Sequence, residues 1–296
     1  MKVIKIFCIV SFFIQIGYAQ KNIQSQNKIC DQSNDISRIV SIGGSITEII
    51  YYLEKEKNIV AIDVTSVYPK QAKKKPSIGY IRNVSSEGVL SMNPSIVISE
   101  DDIGPPLVIN QLKKSDIDLR IIKENRDIYG ILDKVRCIGK ILGLDKKTEE
   151  KISKELSPLI SKIEKIQSNH DIKDKKIMMI LSMQGTSPVV AGSETSGHSF
   201  IQMLGAKNIY ESIKGWKSVT SESILNLNPD YIILPNKEMH KNSNVNMIIN
   251  HNVFKETNAG KNNAYIVDDG MAILGYSPRT ITAVLNSLNK IVEFDQ

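Results

Sequence analysis

The chain has 296 residues, 41% hydrophobic, 24% charged and 6% aromatic, a globular balance that excludes a disordered or fibrous protein. Its formal charge of +6 comes from 38 basic and 32 acidic residues scattered along the whole length, too weak and too dispersed to argue for nucleic acid. No apolar run reaches the roughly 18 residues needed to span a bilayer, which excludes a polytopic membrane protein.

The start of the chain predicts export. Lys2 and Lys5 make a basic head, residues 6–16 are apolar apart from Ser11 and Gln15, and Gly17-Tyr18-Ala19 ends the run with small residues at its first and third places. This is the pattern of a signal peptide over residues 1–19, cleaved after Ala19, and its removal lowers the charge to about +4. A lipoprotein needs Cys just after the cut, where Gln20 stands, and Cys8 lies too early. The expectation is a soluble exported protein, most simply periplasmic. Cys30 and Cys137 remain in an oxidising compartment, where they can pair or stay as free thiols; the sequence leaves this open.

After an N-terminal extension, residues 20–37, strands and helices alternate. Residues 38–42 read as a strand, Gly43-Gly44 as a turn, and Ser45 as the cap of a helix carrying Ile46, Ile49, Ile50 and Leu53 at helical spacing. Strands follow at 59–62, 95–98 and 119–122, with helices at 106–114 and 129–142, the last ended by Gly143. Residues 145–168 read as one long helix with an apolar stripe of Ile152, Leu156, Leu159, Ile160, Ile163 and Ile166, about 36 Å if continuous, with a kink or break expected at Pro158. The alternation then resumes: strands at 176–181, 231–234 and 265–267, helices at 196–204, near 245–254 and at 278–292. This gives an α/β fold of two Rossmann-like lobes, residues 38–143 and 170–296, joined by a single long helix at 144–169, with a ligand cleft between the lobes.

An internal echo relates the lobes. Residues 86–98 align with 221–233 at a constant offset of 135, with six identities in thirteen positions and no gap. Each copy reads as a capped short helix with Glu in its first turn, an Asn-Pro stop and a buried strand, so duplication explains it better than chance.

The chemistry-bearing motifs are few. Residues 192–199 have phosphate-loop spacing, but His198 stands where Lys is required, and a strand-to-helix turn capped by Ser196 is the better reading. His170, His198, His240 and His251 lack metal-ligand spacing, there is no H-E-x-x-H, and no G-x-S-x-G is present. These absences disfavour an exported hydrolase or metalloenzyme.

The most informative stretch is Gly79-Tyr80-Ile81-Arg82, followed by Ser86-Glu87-Gly88. Here the chain resembles the periplasmic haem-binding proteins of bacterial ABC haem importers, whose fold is shared by cobalamin and ferric-siderophore binding proteins. The likeness runs from Arg38 to about Val292. It includes residues 38–48, ending in Ser45-Ile46-Thr47-Glu48, Gly104-Pro105-Pro106, residues 188–192, and Leu274-Gly275-Tyr276-Ser277-Pro278-Arg279-Thr280. The resemblance implies a class III substrate-binding protein, not an enzyme, that carries haem b as transported ligand. It implies Tyr80 as axial ligand to the haem iron and Arg82 as partner of its phenolate. A phenolate is a hard anionic donor suited to ferric iron, and a phenol of pKa near 10 needs a nearby cation to ionise at neutral pH. Some relatives carry His beside two Gly residues where this chain has Met183, which becomes a weak second axial ligand or an apolar wall; Trp216, Met271 and Tyr276 suit a pocket wall and equally suit the core. Glu87 and Glu222, one per repeat, are implied to dock onto a permease of two-fold character. The implied partners are haem, the ABC permease with its ATPase subunits, and an outer-membrane haem receptor system upstream. A ferric siderophore or cobalamin is the alternative ligand within the same fold.

Overall fold

The computed structural model describes residues 29–236 and 245–295. The signal peptide expected at residues 1–19, and His240, lie outside the described residues. Strands β1 (Ile39–Ile42), β2 (Ile59–Ile62), β3 (Ile96–Glu100) and β4 (Asp118–Ile122) form a parallel sheet in the order β2-β1-β3-β4. Alternate residues point to opposite faces, so Ile39, Ile96 and Ile98 enter one core and Val40, Ile42 and Val97 another. Helices on both faces explain why these strands read as unbroken Ile and Val runs.

The second sheet contains β5 (Lys176–Gln184), β6 (Ser187–Ala191), β7 (Lys207–Asn208), β8 (Trp216–Ser218), β9 (Tyr231–Asn236) and β10 (Tyr265–Asp269). Its order is β10-β9-β5-β6-β8, with β7 also paired to β5. β5, β9 and β10 run parallel, whereas β6 and β8 are antiparallel additions. The lobes also share a core: one apolar cluster contains Ile39 and Ile96 of the first sheet and Ile177, Met179 and Ile233 of the second. Residues of the helices Gly44–Tyr52, Ile128–Ile141 and Pro278–Phe294 fill it. The fold is the expected two-lobed α/β arrangement, with this shared core supplementing the connecting helix.

The echo is visible in the backbone. The helices Ser86–Leu90 and Ser221–Leu227 are capped by Ser85 and Thr220, whose hydroxyls accept from the Gly88 and Ser223 N–H groups at 3.2 Å. Asn93 and Asn228 then adopt the same left-handed φ of 46°. β3 and β9 begin at equivalent residues, Ile96 and Tyr231.

Several local expectations are corrected. The helix over Asp145–Lys151 and Ser157–Asn169 does not break at Pro158; Ile152–Leu156 widens into a π turn. Pro158 has no N–H to donate and its ring crowds the carbonyl four residues back, and a wider turn relieves both. The helix expected near 245–254 is two, Val245–Ile249 and Asn252–Lys255, with His251 capping the second. Ser45 and Ser196 are not caps. The first helix begins after Gly43, and Thr195 caps the helix Ser196–Met203 by accepting from the His198 N–H at 3.0 Å.

The question left open for the cysteines is answered: Cys30 and Cys137 form a disulfide, with Cα atoms 4.8 Å apart. It fastens the N-terminal segment to the helix Ile128–Ile141 and closes a loop across a separation of 107 residues. A loop of that size loses much of its unfolded-state freedom when bridged. The double variant Cys30→Ala with Cys137→Ala is expected to unfold in urea with about 2–4 kcal/mol less stability than the oxidised protein. Equal midpoints and slopes for the two proteins would show that the bridge adds nothing.

Candidate functional site

Tyr80 stands on a short turn held beside β2. The Ile78 N–H donates to the Ile62 carbonyl and the Val64 N–H to that of Gly79, both at 2.9 Å. Gly79 has φ +93°, a conformation that L side chains rarely adopt, and it turns the chain into the 3₁₀ segment Ile81–Asn83. Ile81 and Val84 plug into the core beneath the turn, which leaves Tyr80 and Arg82 facing outward. Arg82 Nη1 donates to the Tyr80 hydroxyl at 2.5 Å, and its Nη2 meets Asp102 Oδ2 at 2.6 Å. The loop carrying Asp102 is bonded to the same turn: the Gly104 N–H donates to the Ile81 carbonyl, and the Val84 N–H to that of Gly104, each at 3.0 Å.

Three tyrosines among the described residues are exposed, Tyr68, Tyr80 and Tyr129, and their surroundings differ. The Arg279 guanidinium lies 3.5 Å from the centre of the Tyr68 ring, a stacking contact on the ring face. The Tyr129 hydroxyl donates to Glu164 at 3.0 Å, and that bond to a carboxylate raises its pKa. Tyr80 alone of the three has a guanidinium nitrogen recorded on its hydroxyl oxygen.

Buried polar groups hold the loops that follow the strands. Asp63 is fully buried and its carboxylate accepts from the Gly43 and Thr65 N–H groups at 2.9 Å and from the Thr65 and Ser66 hydroxyls at 2.6 and 2.8 Å. Glu100, at the end of β3, accepts from the Ser45 N–H and hydroxyl at 2.9 and 2.6 Å. Lys134 donates to the Ser45 hydroxyl at 3.0 Å and to Glu124 at 2.7 Å. Gly43 makes room for this: a Cβ there would lie 2.4 Å from Glu100 Cδ.

The lobes meet beside this network. Glu48, almost fully buried on the helix Gly44–Tyr52, accepts from the Ser277 hydroxyl and from Arg279 Nε at 2.9 Å. Arg279 also reaches Asp269, with Nη1 at 3.3 Å. The Met271 methyl sits against Gly44 of the other lobe, so tightly that a Cβ at Gly44 would lie 2.5 Å from it. Arg126 adds a bond from the first lobe to the Glu194 carbonyl at 3.1 Å.

The other sequence candidates are dispersed. Glu87 and Glu222 are exposed, each in the first turn of its repeat's helix. Met183, half-buried near the end of β5, packs on the core of the second lobe. Trp216 packs beside Gly197, where a Cβ would come within 2.7 Å of its ring. Tyr276 takes the core alternative and not the wall: it is fully buried, its hydroxyl donates to the Ser196 carbonyl at 2.5 Å, and burial raises its phenol pKa. The phosphate-loop spacing has a packing cause, because the Gly192 and Ser193 N–H groups bond to the Gly215 and Ile213 carbonyls and are not free to meet an anion. His198 Nδ1 accepts a hydrogen bond from the Asn208 side-chain amide at 3.1 Å, which gives this histidine a place within the fold. No group of His, Cys, Asp or Glu among the described residues could hold a metal ion. No helix among them is long and apolar enough to cross a membrane.

Sequence reasoning missed Asp102, Glu48, Asp63, Glu100 and Lys134. Glu48 and Lys134 had a signal, each being a charge set among the apolar positions of a helix; Asp102 and Glu100 are neighbours of the site only through the loop after β3.

The chain belongs to the periplasmic binding protein family, which it matches over residues 39–271, and it is thus a substrate-binding component of ABC transport. Among solved structures it is similar to the periplasmic heme-binding protein RhuT from Roseiflexus sp. RS-1, at 25% identity and a TM-score of 0.78 over 88% of this chain and 99% of that one. It is similar also to the periplasmic heme-binding protein HutB of Vibrio cholerae, at 28% identity and a TM-score of 0.73 over 87% of this chain and 99% of that one. Among curated proteins it is 26% identical to the uncharacterized ABC transporter substrate-binding lipoprotein YvrC of Bacillus subtilis, over 73% of this chain and 71% of that protein. It is 21% identical to the vitamin B12-binding protein of Pectobacterium atrosepticum, over 67% of this chain and 71% of that protein.

The Glu100 carboxyl has its pKa raised to about 7, because burial disfavours the charge and Glu124 adds repulsion, while Lys134 pulls the other way. The folded state therefore holds a proton that the unfolded state has lost between about pH 4.5 and 7, and stability falls as the pH rises through that range. Glu100→Gln is expected to flatten the slope and to gain on the order of 2–3 kcal/mol over the parent protein at pH 8. Urea denaturation at pH 5 and pH 8 checks this, and parallel pH profiles for the two proteins would refute it.

Proposed function

We propose that this protein is exported with cleavage after Ala19, binds haem in the cleft between its lobes through the Tyr80 phenolate, and hands it to an ABC permease with attached ATPase subunits. The observation that carries the reading is the Arg82 guanidinium on the hydroxyl of an exposed tyrosine. A positive charge at hydrogen-bond distance favours the ionised form of a phenol, and a phenolate is an established type of axial ligand to ferric haem. Arg82 and Tyr80 act by binding and orienting, and apart from the reversible coordination to iron the ligand is carried chemically unchanged. Met183, Trp216 and Met271 supply apolar contact from the second lobe, and Met183, a thioether, is at most a weak donor to ferric iron. Haem delivered by an outer-membrane receptor system upstream belongs to the same reading.

The resemblance to solved heme-binding proteins favours haem, while the curated B12-binding relatives favour cobalamin as the second reading. Titration of the purified protein with haemin and, in parallel, with cyanocobalamin separates them. Haemin is expected to give a high-spin ferric spectrum with phenolate charge-transfer bands. Tyr80→Phe should abolish those bands and weaken binding by at least about tenfold, and Arg82→Ala should weaken coordination near neutral pH. Unchanged spectra and affinity in Tyr80→Phe would remove Tyr80 from the site, and saturable cyanocobalamin binding without haemin binding would replace haem by cobalamin.

Glu87 and Glu222 are assigned to the permease contact. They stand exposed on equivalent, capped helices of the two repeats, one per lobe, and a pair of like groups suits a partner with two like subunits. The double variant Glu87→Lys with Glu222→Lys should keep haemin affinity and lose haem delivery in a reconstituted transporter. Normal delivery would return both residues to a role in their helix ends alone.

A further inference from the structure

We infer that Asp102 is a positioning residue of the ligand site, holding Arg82 against Tyr80 and sharing its positive charge so that the phenolate binds haem iron yet releases it. This deepens the reading of Tyr80 as the haem ligand and rests on it.

The guanidinium uses its two ends on two different oxygens: Nη1 on the Tyr80 hydroxyl at 2.5 Å and Nη2 on Asp102 Oδ2 at 2.6 Å. A long side chain with 62% of its surface exposed would otherwise sample many rotamers, and the Asp102 contact selects the one that faces Tyr80. Asp102 is itself well placed to hold it. Its loop is bonded to the Tyr80 turn at Ile81 and Val84, so carboxylate and phenol move as one piece. Its second oxygen, Oδ1, is buried and has no partner, which leaves the carboxylate committed to Arg82 through Oδ2.

The same contact limits the strength of the donor. One cation placed between two anionic oxygens stabilises each less than it would stabilise one alone, so the Asp102 charge lowers the hold of Arg82 on the phenolate. Orientation and charge thus act in opposite senses, and two substitutions separate them. Asn keeps an acceptor for Arg82 without the charge, whereas Ala removes both. Neither threatens the fold, because ion pairs this exposed add little to stability.

The test reads both parts. In the ligand-free protein, nitrogen-15 NMR of arginine side chains, with Arg82 assigned by its loss in Arg82→Ala, should show hindered guanidinium rotation in the parent and in Asp102→Glu, and free rotation in Asp102→Ala. In the haemin-loaded protein, transfer of haem to excess apomyoglobin should be about fivefold slower in Asp102→Asn, the upper end of what an exposed ion pair changes, and faster in Asp102→Ala, as in Arg82→Ala. Free rotation of Arg82 in the parent, or transfer rates that move the same way in the Asn and Ala variants, would overturn the inference. A wild-type haem spectrum in Tyr80→Phe would instead overturn the ligand reading and with it the assignment of donor strength. The Arg82 resonances decide separately whether Asp102 holds the guanidinium.

Discussion

Glu48 carries a carboxylate into the contact between the lobes, where burial pushes its pKa up and Arg279 of the opposite lobe pulls it back. Removing Arg279 would leave this buried carboxylate uncompensated, a loss of about 3–5 kcal/mol, so the pair fixes how the lobes meet even though burying it brings little net stability. Ser277 reinforces it. Its N–H donates to the Thr280 hydroxyl at 3.1 Å at the start of the helix Pro278–Phe294, and its own hydroxyl donates to Glu48. That helix packs in turn on the helix Ser157–Asn169. With an apolar core running through both lobes as well, the separation of the cleft walls is set by folding and not by the ligand. Tyr80 and Arg82 stay exposed on the first lobe, outside that shared packing.

What could be read from the sequence follows from how local each signal was. Apolar runs punctuated by Gly and Asn-Pro marked the central parallel strands of both sheets, because a strand covered on both faces needs no long-range information to be recognised. β6 and β8 were harder: Ser187–Ala191 and Trp216–Ser218 are short and owe their conformation to antiparallel partners across the sheet. Pro158 was correctly noticed as a disturbance, but only packing decides between a break and a π turn, and the buried Ile152, Leu156, Ile160 and Ile163 keep the helix on one line.

The site divided in the same way. Tyr80 and Arg82 are two residues apart, so their meeting was legible; Asp102 comes from another loop, and its arrival depends on the backbone bonds at Gly104. Tyr276, open between wall and core in the sequence, goes to the core for an instructive reason. Residues 274–280 do carry a strong pattern, but what it builds is the contact between lobes, through Ser277 and Arg279, with Tyr276 packed beneath. A run of distinctive residues marks a constraint, and here the constraint is assembly of the cleft and not its lining.

The duplicated architecture also separates two tasks. β1, β3 and β4 have their counterparts in β5, β9 and β10, in the same order and all parallel, and the helices bearing Glu87 and Glu222 enter β3 and β9 through matching Asn-Pro turns. The repeats diverge on the far side of the first strand: β2 and the Tyr80 turn flank β1, whereas the β6–β8 addition and β7 flank β5. A symmetric partner is best met by the parts that remained alike, since like surfaces present like charges to like subunits. Tyr80, on the side where the repeats differ, is the one exposed tyrosine among the described residues whose hydroxyl accepts from a guanidinium, and that guanidinium is paired with Asp102 of the same lobe.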